Sequence, residues 1–332
     1  MPDVSEVPEA TPLLVVEDLV KSFPTRGGGH LTAVDHVSLS VRRGQTYGLV
    51  GESGSGKSTL GRCVLRLQPA DQGTVLFDGQ DVAALSTAKL RRLRSRMQVV
   101  FQDPYGSLNR RECVTDIVAA PLRAHGVGTA RQRAARVAEL LDLVQMPAAM
   151  GRRRPRELSG GQAQRVAIAR ALALRPEFVV LDEAVSALDV SVRAQILNLL
   201  SRLQVELGLT YLFISHDLGV VRYMSQEIGV MYRGRIVEAA HRENLFTDPQ
   251  HPYTRMLLDA VPVADPVRQQ ARTGRTVWSE DAAVIASPHA CRFQPRCPVG
   301  RERDRCAAEE PTLARPSEAA TLVACHYPGV RA

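Results

Sequence analysis

Aromatic side chains make up only 5% of this 332-residue chain, and they do not interleave with its basic runs, Lys89-Leu90-Arg91-Arg92-Leu93-Arg94-Ser95-Arg96, Arg131 to Arg136 and Arg152-Arg153-Arg154-Pro155-Arg156. That removes the stacking platforms on which single-stranded nucleic acids are held. The formal charge of +7 and the pI near 9.3 therefore read first as solvated helix faces and loops, with a nucleic-acid surface or nearby anionic lipid as the other sources. No run approaches the ~20 apolar residues that span a bilayer. Met1-Pro2-Asp3-Val4-Ser5-Glu6 lacks the basic and apolar regions of a secretory signal, so the chain is expected to stay in the cytoplasm unless a partner holds it at a membrane. There is no internal repeat, no long low-complexity tract and no C-x-x-C pair among the six cysteines. A hydrophobic content of 45% suffices for a packed core, in one large domain with an appendage or in two domains.

Against these absences stands Gly51-Glu52-Ser53-Gly54-Ser55-Gly56-Lys57-Ser58, which fits G-x-x-x-x-G-K-[ST] and follows the apolar run Tyr47-Gly48-Leu49-Val50. Glycines at these positions let successive backbone N–H groups turn inward on phosphate oxygens. Lys57 would reach the β- and γ-phosphates and the Ser58 hydroxyl would serve Mg²⁺. Thr59 and the residues after it read as a helix whose positive end faces the phosphates. A nucleoside triphosphate such as ATP is the expected ligand.

Leu13 to Val20, Val37 to Val41 and Thr46 to Val50 read as strands between polar or glycine-rich turns. From about Lys89 to Arg156 the pattern turns helical, with Val137, Leu140, Leu141 and Val144 on one face. Phe178-Val179-Val180-Leu181 and Tyr211-Leu212-Phe213-Ile214 are continuous apolar runs after helical segments, as in a buried parallel sheet. After Phe246 proline becomes frequent and periodicity fades. These boundaries predict a flexible tail over 1–11, an ATPase domain over 12–245 with a helical subdomain at about 89–160, and a C-terminal appendage over 246–332.

The strand Phe178 to Leu181 ends in Asp182 and Glu183. Beside a phosphate loop, Asp182 would hold Mg²⁺ and Glu183 would polarise the water attacking the γ-phosphorus. Leu158-Ser159-Gly160-Gly161-Gln162 opens a helix through Val166, Ile168, Ala169 and Leu172, and supplies a second anion-binding helix terminus. One chain does not easily aim both termini at one phosphate, so a head-to-tail dimer is expected, with Ser159, Gly160 and Gly161 closing over ATP held by the other subunit.

In these motifs the sequence resembles the ATP-binding subunits of ABC transporters. The resemblance implies an α/β P-loop NTPase (RecA-like) ABC nucleotide-binding domain with an antiparallel β subdomain and a helical subdomain, plus a small irregular cysteine-containing C-terminal appendage. It further implies that Leu158 to Gln162 is the family signature and Gln102 the glutamine that touches Mg²⁺ or the attacking water. Ser186-Ala187-Leu188-Asp189 would be the loop that crosses the dimer interface, His216 the γ-phosphate switch, and Phe23 the aromatic on adenine. Phe101-Gln102-Asp103-Pro104-Tyr105-Gly106-Ser107-Leu108-Asn109 and His251-Pro252-Tyr253-Thr254-Arg255-Met256-Leu257-Leu258 are similar to ATPases of the oligopeptide/dipeptide permeases, and to the second ATPase of such systems. That resemblance implies a heterodimer with another ATPase, two membrane permeases and an extracytoplasmic solute-binding protein. The chain would sit peripherally on the cytoplasmic face of the membrane and drive import of short peptides, or of nickel or glutathione. No nucleic-acid partner is expected on this reading; the rival is a soluble ABC ATPase acting on nucleic acid or ribosomes.

Arg110, Ala163 and Ala184 depart from the family pattern. None removes a catalytic group, so the site is expected to be competent. Cys291, Cys297, Cys306 and Cys325 lie together in the appendage, where thiols suit a metal better than disulfides in a cytoplasmic protein. Resemblance to relatives with a four-cysteine tail implies a [4Fe–4S] cluster; four thiolates would equally suit zinc, and packed reduced thiols are the third reading.

Overall fold

The computed structural model describes residues 11–25, 28–260, 289–316 and 320–330; all but the last residue of the expected N-terminal tail lies outside them. In chain order the elements are β1 (Pro12–Pro24), β2 (His30–Arg42), β3 (Thr46–Val50), α1 (Lys57–Val64), β4 (Gln72–Phe77) and β5 (Gln80–Asp81). Then come α2 (Thr87–Arg96), β6 (Met97–Val100), α3 (Pro104–Ser107), α4 (Val114–Ala124), α5 (Ala130–Leu143), α6 (Gly160–Ala171) and β7 (Phe178–Asp182). The last are α7 (Val190–Leu207), β8 (Thr210–Ser215), α8 (Leu218–Met224), β9 (Glu227–Tyr232), β10 (Arg235–His241), α9 (Arg242–Thr247), α10 (Pro252–Asp259), α11 (Asp304–Ala308) and β11 (Leu322–Val323). The chain divides into two compact units. One is built on Ser38–Thr46 and Gly61–Ile214 with the chain up to Leu19; the other on Val20–Val37, Tyr47–Leu60 and the chain from Ser215 onward.

In the first unit β7 lies between β6 and β8, parallel to both, with Met97 opposite Phe178 and Asp182 opposite Ile214. Every residue of β7 and β8 is buried, which is what an unbroken apolar run requires of a strand covered on both faces. The helical stretch expected from Lys89 is interrupted by β6, because Met97 and Val100 bury themselves beside β7; four residues are too few for periodicity to separate strand from helix. A four-stranded sheet has the order β2-β1-β4-β5, with β4 and β5 antiparallel. β1 and β2 run further than their apolar alternation predicted, and each absorbs a left-handed residue, Asp18 at φ 51° and His36 at φ 53°, that breaks the period of two. Arg96 donates from Nε and Nη2 to Glu177 and from Nη2 to Asp78 at 2.6 Å, and Arg43 reaches the same two carboxylates. The bond from Arg96 is the main reason both carboxyls titrate below their ordinary range. These arginines are thus held by carboxylates of their own unit. The α5 face forms as the sequence predicted: Val137, Leu140, Leu141 and Val144 are all buried.

In the second unit the strand order is β11-β10-β9-β3, with β3 parallel to β9 and β9, β10 and β11 antiparallel in turn. Past Phe246, where periodicity faded, the structure forms α10. Pro252 takes the first helical position, where its missing N–H costs nothing, and His251 Nδ1 accepts from Tyr253 N at 3.0 Å. Glu238 on β10 is fully buried and accepts from the backbone N–H of Gln250 at 2.7 Å and of His251 at 2.9 Å. Burial raises its pKa against the pull of those donors. Tyr232, His251, Tyr253 and Phe293 pack their rings with centroids 4.6 to 5.6 Å apart. Asp35 accepts from Arg235 Nε at 2.8 Å and from Arg292, and Arg292 Nε also meets Glu310 at 2.9 Å. Burial works against the Asp35 charge, yet the Arg235 bond and the Arg292 charge hold its carboxyl low.

Candidate nucleotide site

The phosphate loop belongs to the second unit and begins where β3, buried throughout, runs out. Its glycines answer to the backbone around them. A Cβ on Gly51 would lie 2.1 Å from Met231 O, and one on Gly56, at φ 105°, would lie 1.9 Å from Ala33 O. Gly54 stands at φ 79°, a region L side chains rarely adopt. Ser53 and Gly54 are exposed, while Ser58 and Thr59 are half-buried in the first turn of α1. The Lys57 side chain is buried and its ammonium donates to Gly51 O at 2.8 Å, Glu52 O at 2.8 Å and Ser55 Oγ at 3.1 Å. A cation held on oxygen dipoles at the positive end of a helix is prepared for an anion such as a phosphate. Glu52 is held from outside the loop: its N–H donates to Tyr253 Oη at 2.9 Å and its carboxylate takes both Nη atoms of Arg296 at 2.9 Å each. The sequence reading missed Tyr253 and Arg296 as neighbours of the loop; the only signal was that Glu52 is a charged residue among small ones. The same unit carries His216, exposed just before Asp217 caps α8, and Phe23, half-buried with Lys21 Nζ 5.5 Å from its ring centroid.

In the first unit Asp182 ends β7 at 6% exposure. Glu183 follows in the left-handed region at φ 49°. Its N–H donates to Ile214 O at 2.9 Å, Ser186 Oγ donates to its carbonyl at 3.0 Å, and its carboxylate accepts from Gln102 Nε2 at 2.9 Å. A strained, tethered carboxylate beside a buried one is the kind of arrangement that persists at reactive sites. The fold thus brings Gln102 and Glu183 together from positions 81 residues apart. Ser159 caps α6 reciprocally: Gln162 N donates to Ser159 Oγ at 3.4 Å and Ser159 N donates to Gln162 Oε1 at 2.9 Å. The Gln162 side chain is therefore engaged within its own helix start, while the Ser159 hydroxyl proton stays available to a ligand. Gly160 stands beside Leu188 and Gly161 beside Val192, so the signature packs against the segment leading to Asp189, which is exposed at the start of α7.

Within the second unit the Lys57 ammonium suits a phosphate, and the Ser58 hydroxyl is a hard oxygen donor of the kind Mg²⁺ takes; within the first unit the Asp182 and Glu183 carboxylates are donors of the same kind. The metal expected at the four cysteines of the tail finds no support. The four are free thiols and neighbours: Cys291 N donates to Cys306 O at 2.9 Å, and Gly300 lies against the sulfurs of Cys297 and Cys306. Yet among the described residues no group of three or more His, Cys, Asp or Glu side chains is arranged to hold a metal ion. The sulfurs have other partners, Cys297 Sγ accepting from Gly300 N at 3.2 Å and Cys325 Sγ from Tyr327 N at 3.4 Å. Burial, with the neighbouring thiols, pushes Cys291 up to about 12 and Cys325 to about 11. Iron–sulfur and zinc find no support in this cluster.

Residues 34–186 match the family described as ABC transporter, and residues 237–306 match the oligopeptide/dipeptide transporter C-terminal region. The chain is 45% identical over 321 residues to the oligopeptide transport ATP-binding protein AppF of Bacillus subtilis, covering 95% of this chain and 97% of that one. It is 51% identical over 281 residues to the glutathione import ATP-binding protein GsiA of Salmonella paratyphi A, covering 83% of this chain and 45% of that longer one. Among solved structures, the dimeric bacterial ABC transporter cassette MJ0796 superimposes with a TM-score of 0.63 at 29% identity, over 69% of this chain and 98% of that one. The chain thus belongs to the ATP-hydrolysing, ATP-binding subunits of ABC transporters, in the group that carries the oligopeptide/dipeptide C-terminal region.

Proposed function

We propose that this chain hydrolyses MgATP to drive import of short peptides through two partner permeases. It would sit on the cytoplasmic face of the membrane, paired with a second, different ATPase and served by an extracytoplasmic binding protein. The single observation that carries the peptide reading is the 237–306 match joined to the ABC transporter match over 34–186. Among the described residues no helix is long and apolar enough to cross a membrane, so attachment would come from the permeases. GsiA's name makes glutathione the second reading for the solute.

The glycines of Gly51 to Gly56 turn their amides on the phosphates, Lys57 exchanges a loop carbonyl for a phosphate oxygen, and Phe23 packs on the adenine. Ser58 and Asp182, with Gln102, would hold Mg²⁺, which would supply neutralisation of phosphate charge. Glu183, oriented by Gln102, accepts the proton of the attacking water, and His216 steadies the γ-phosphate. Gly160 supports the head-to-tail dimer. A Cβ there would make only an ordinary 3.5 Å contact with Leu188, so its own subunit does not demand a glycine; close approach to ATP on the partner does, with Ser159 and Asp189 beside it. Glu183→Gln in the complex assembled with its permeases should bind ATP normally and lose roughly 10² to 10⁴ in turnover. Undiminished turnover there would remove Glu183 as the base, and purification with ribosomes or nucleic acid instead of permeases would replace the transport reading.

A further inference from the structure

Glu52 is held at each of its three polar groups, and two of the three holders come from the C-terminal part of the chain. Its carbonyl accepts from Lys57 Nζ, its N–H donates to Tyr253 Oη, and its carboxylate takes both Nη atoms of Arg296. We infer that Tyr253 and Arg296 are positioning residues that act through Glu52 to set the phosphate affinity of the loop; the inference rests on the reading of that loop as the ATP site.

Both holders are themselves fixed. Tyr253 is fully buried, its N–H donates to His251 Nδ1, and the backbone N–H of His251 is anchored on the buried Glu238 of β10. Arg296 is 14% exposed. Its guanidinium stands 5.9 Å from the ring centroids of Tyr232 and Phe293, and Nη2 lies 3.5 Å from Met256 Sδ. A planar guanidinium paired through two parallel bonds fixes direction as well as distance, so the Glu52 side chain has little freedom. The consequence falls on Lys57. When phosphate enters, its ammonium must share or release the Glu52 carbonyl, and the cost of that exchange depends on where Glu52 is pinned. A loop ordered before binding loses less freedom on binding than one that must be ordered by the ligand.

The test is MgATP binding to the full-length chain by titration calorimetry, beside its thermal midpoint without nucleotide. Arg296→Gln and Glu52→Gln should each raise the ATP Kd about three- to tenfold, and the double variant should be no weaker than the worse single, because both remove one interaction. Arg296→Lys should recover part of the loss, since it keeps the charge but not the fork. Tyr253→Phe, which deletes only the hydroxyl, should shift Kd in the same direction by less. In the assembled transporter Arg296→Gln should raise KM for ATP with little change in kcat. A lowered thermal midpoint with Kd within twofold of the parent overturns the inference, and so do additive losses in the double variant. If Arg296→Gln does not fold, Arg296→Lys and Tyr253→Phe carry the same comparison. Lys57→Ala separates this inference from the reading beneath it. Loss of ATP binding in Lys57→Ala but not in Arg296→Gln removes only the positioning role, whereas tight ATP binding by Lys57→Ala removes the assignment of the loop.

Discussion

The two glycine-bearing helix entries of this chain, Gly51 to Ser58 before α1 and Ser159 to Gln162 before α6, are built on opposite plans. In the first, glycine is dictated from inside: a Cβ on Gly51 or Gly56 would strike the carbonyl oxygen of Met231 or Ala33 at about 2 Å. In the second, the backbone is ordinary helix closed by its own capping box, and Gly160 has room for a methyl group. Gly51 and Gly56 are explained by their own chain, as is Gly161, whose Cβ would lie 2.5 Å from Val192 Cγ1, whereas Gly160 meets no such wall. Support differs in the same way. The phosphate loop is braced by Tyr253 and Arg296 from the far C-terminal region, while the Ser159 entry is closed by its own capping box, with Tyr105 Oη donating to Leu158 O from 53 positions away.

That contrast can be broken at its strongest point with Gly56→Ala. A side chain at φ 105° against a backbone oxygen has nowhere to go, and the displaced loop should lose about 10²-fold or more in ATP affinity, equivalent to about 3 kcal/mol of strain; equilibrium binding to the isolated chain measures it. Gly160→Ala should do the reverse. The isolated chain should fold and bind ATP as before, and turnover of the assembled complex should fall by about 10²-fold, the cost of a ~1 Å misplacement at the reacting group. Equal effects of the two substitutions on the isolated chain would erase the distinction.

The brace behind the phosphate loop should also show in the pH dependence of stability. Burial holds His251 neutral, with its pKa lowered to about 3, whereas the unfolded chain binds a proton near pH 6.5. Below that pH the unfolded state takes up the extra proton. Stability from His251 is therefore complete above pH 6.5 and lost as pH falls toward 3, at up to about 1.4 kcal/mol per pH unit. Glu238, raised by burial, contributes with the opposite sign above its ordinary pKa. The comparison that isolates the histidine is the parent against His251→Gln in thermal unfolding from pH 7 to pH 4. The parent should lose the extra stability and the variant should not; parallel curves would mean that the ring is not held neutral.

Much of the site could be read in contiguous residues because its rules are local. Gly51 to Ser58 announces itself by glycines at fixed spacing, Asp182 and Glu183 by ending an apolar run, and Ser159 to Gln162 by a cap three residues before its partner. The α5 face was legible for the same reason, since a period of 3.6 is carried by neighbours along the chain. Met97 to Val100 was not, because a four-residue strand carries too little pattern and its identity comes from pairing with β7. α10 was hidden by the prolines around it, although Pro252 starts that helix rather than breaking it. The cysteines were legible as a group, but their count said nothing of how their sulfurs would face.

By itself, then, the sequence determined which residues can meet phosphate, metal and water, because glycine freedom, helix capping and strand-end carboxylates are properties of short segments. Only the tertiary structure decided what holds them. The Gln102 amide on Glu183 spans 81 positions and the Arg296 fork on Glu52 spans 244. An ion pair or hydrogen bond needs two groups within about 3 Å, and over such separations that proximity is set by the packing of the sheet and its appendage, which no local pattern encodes.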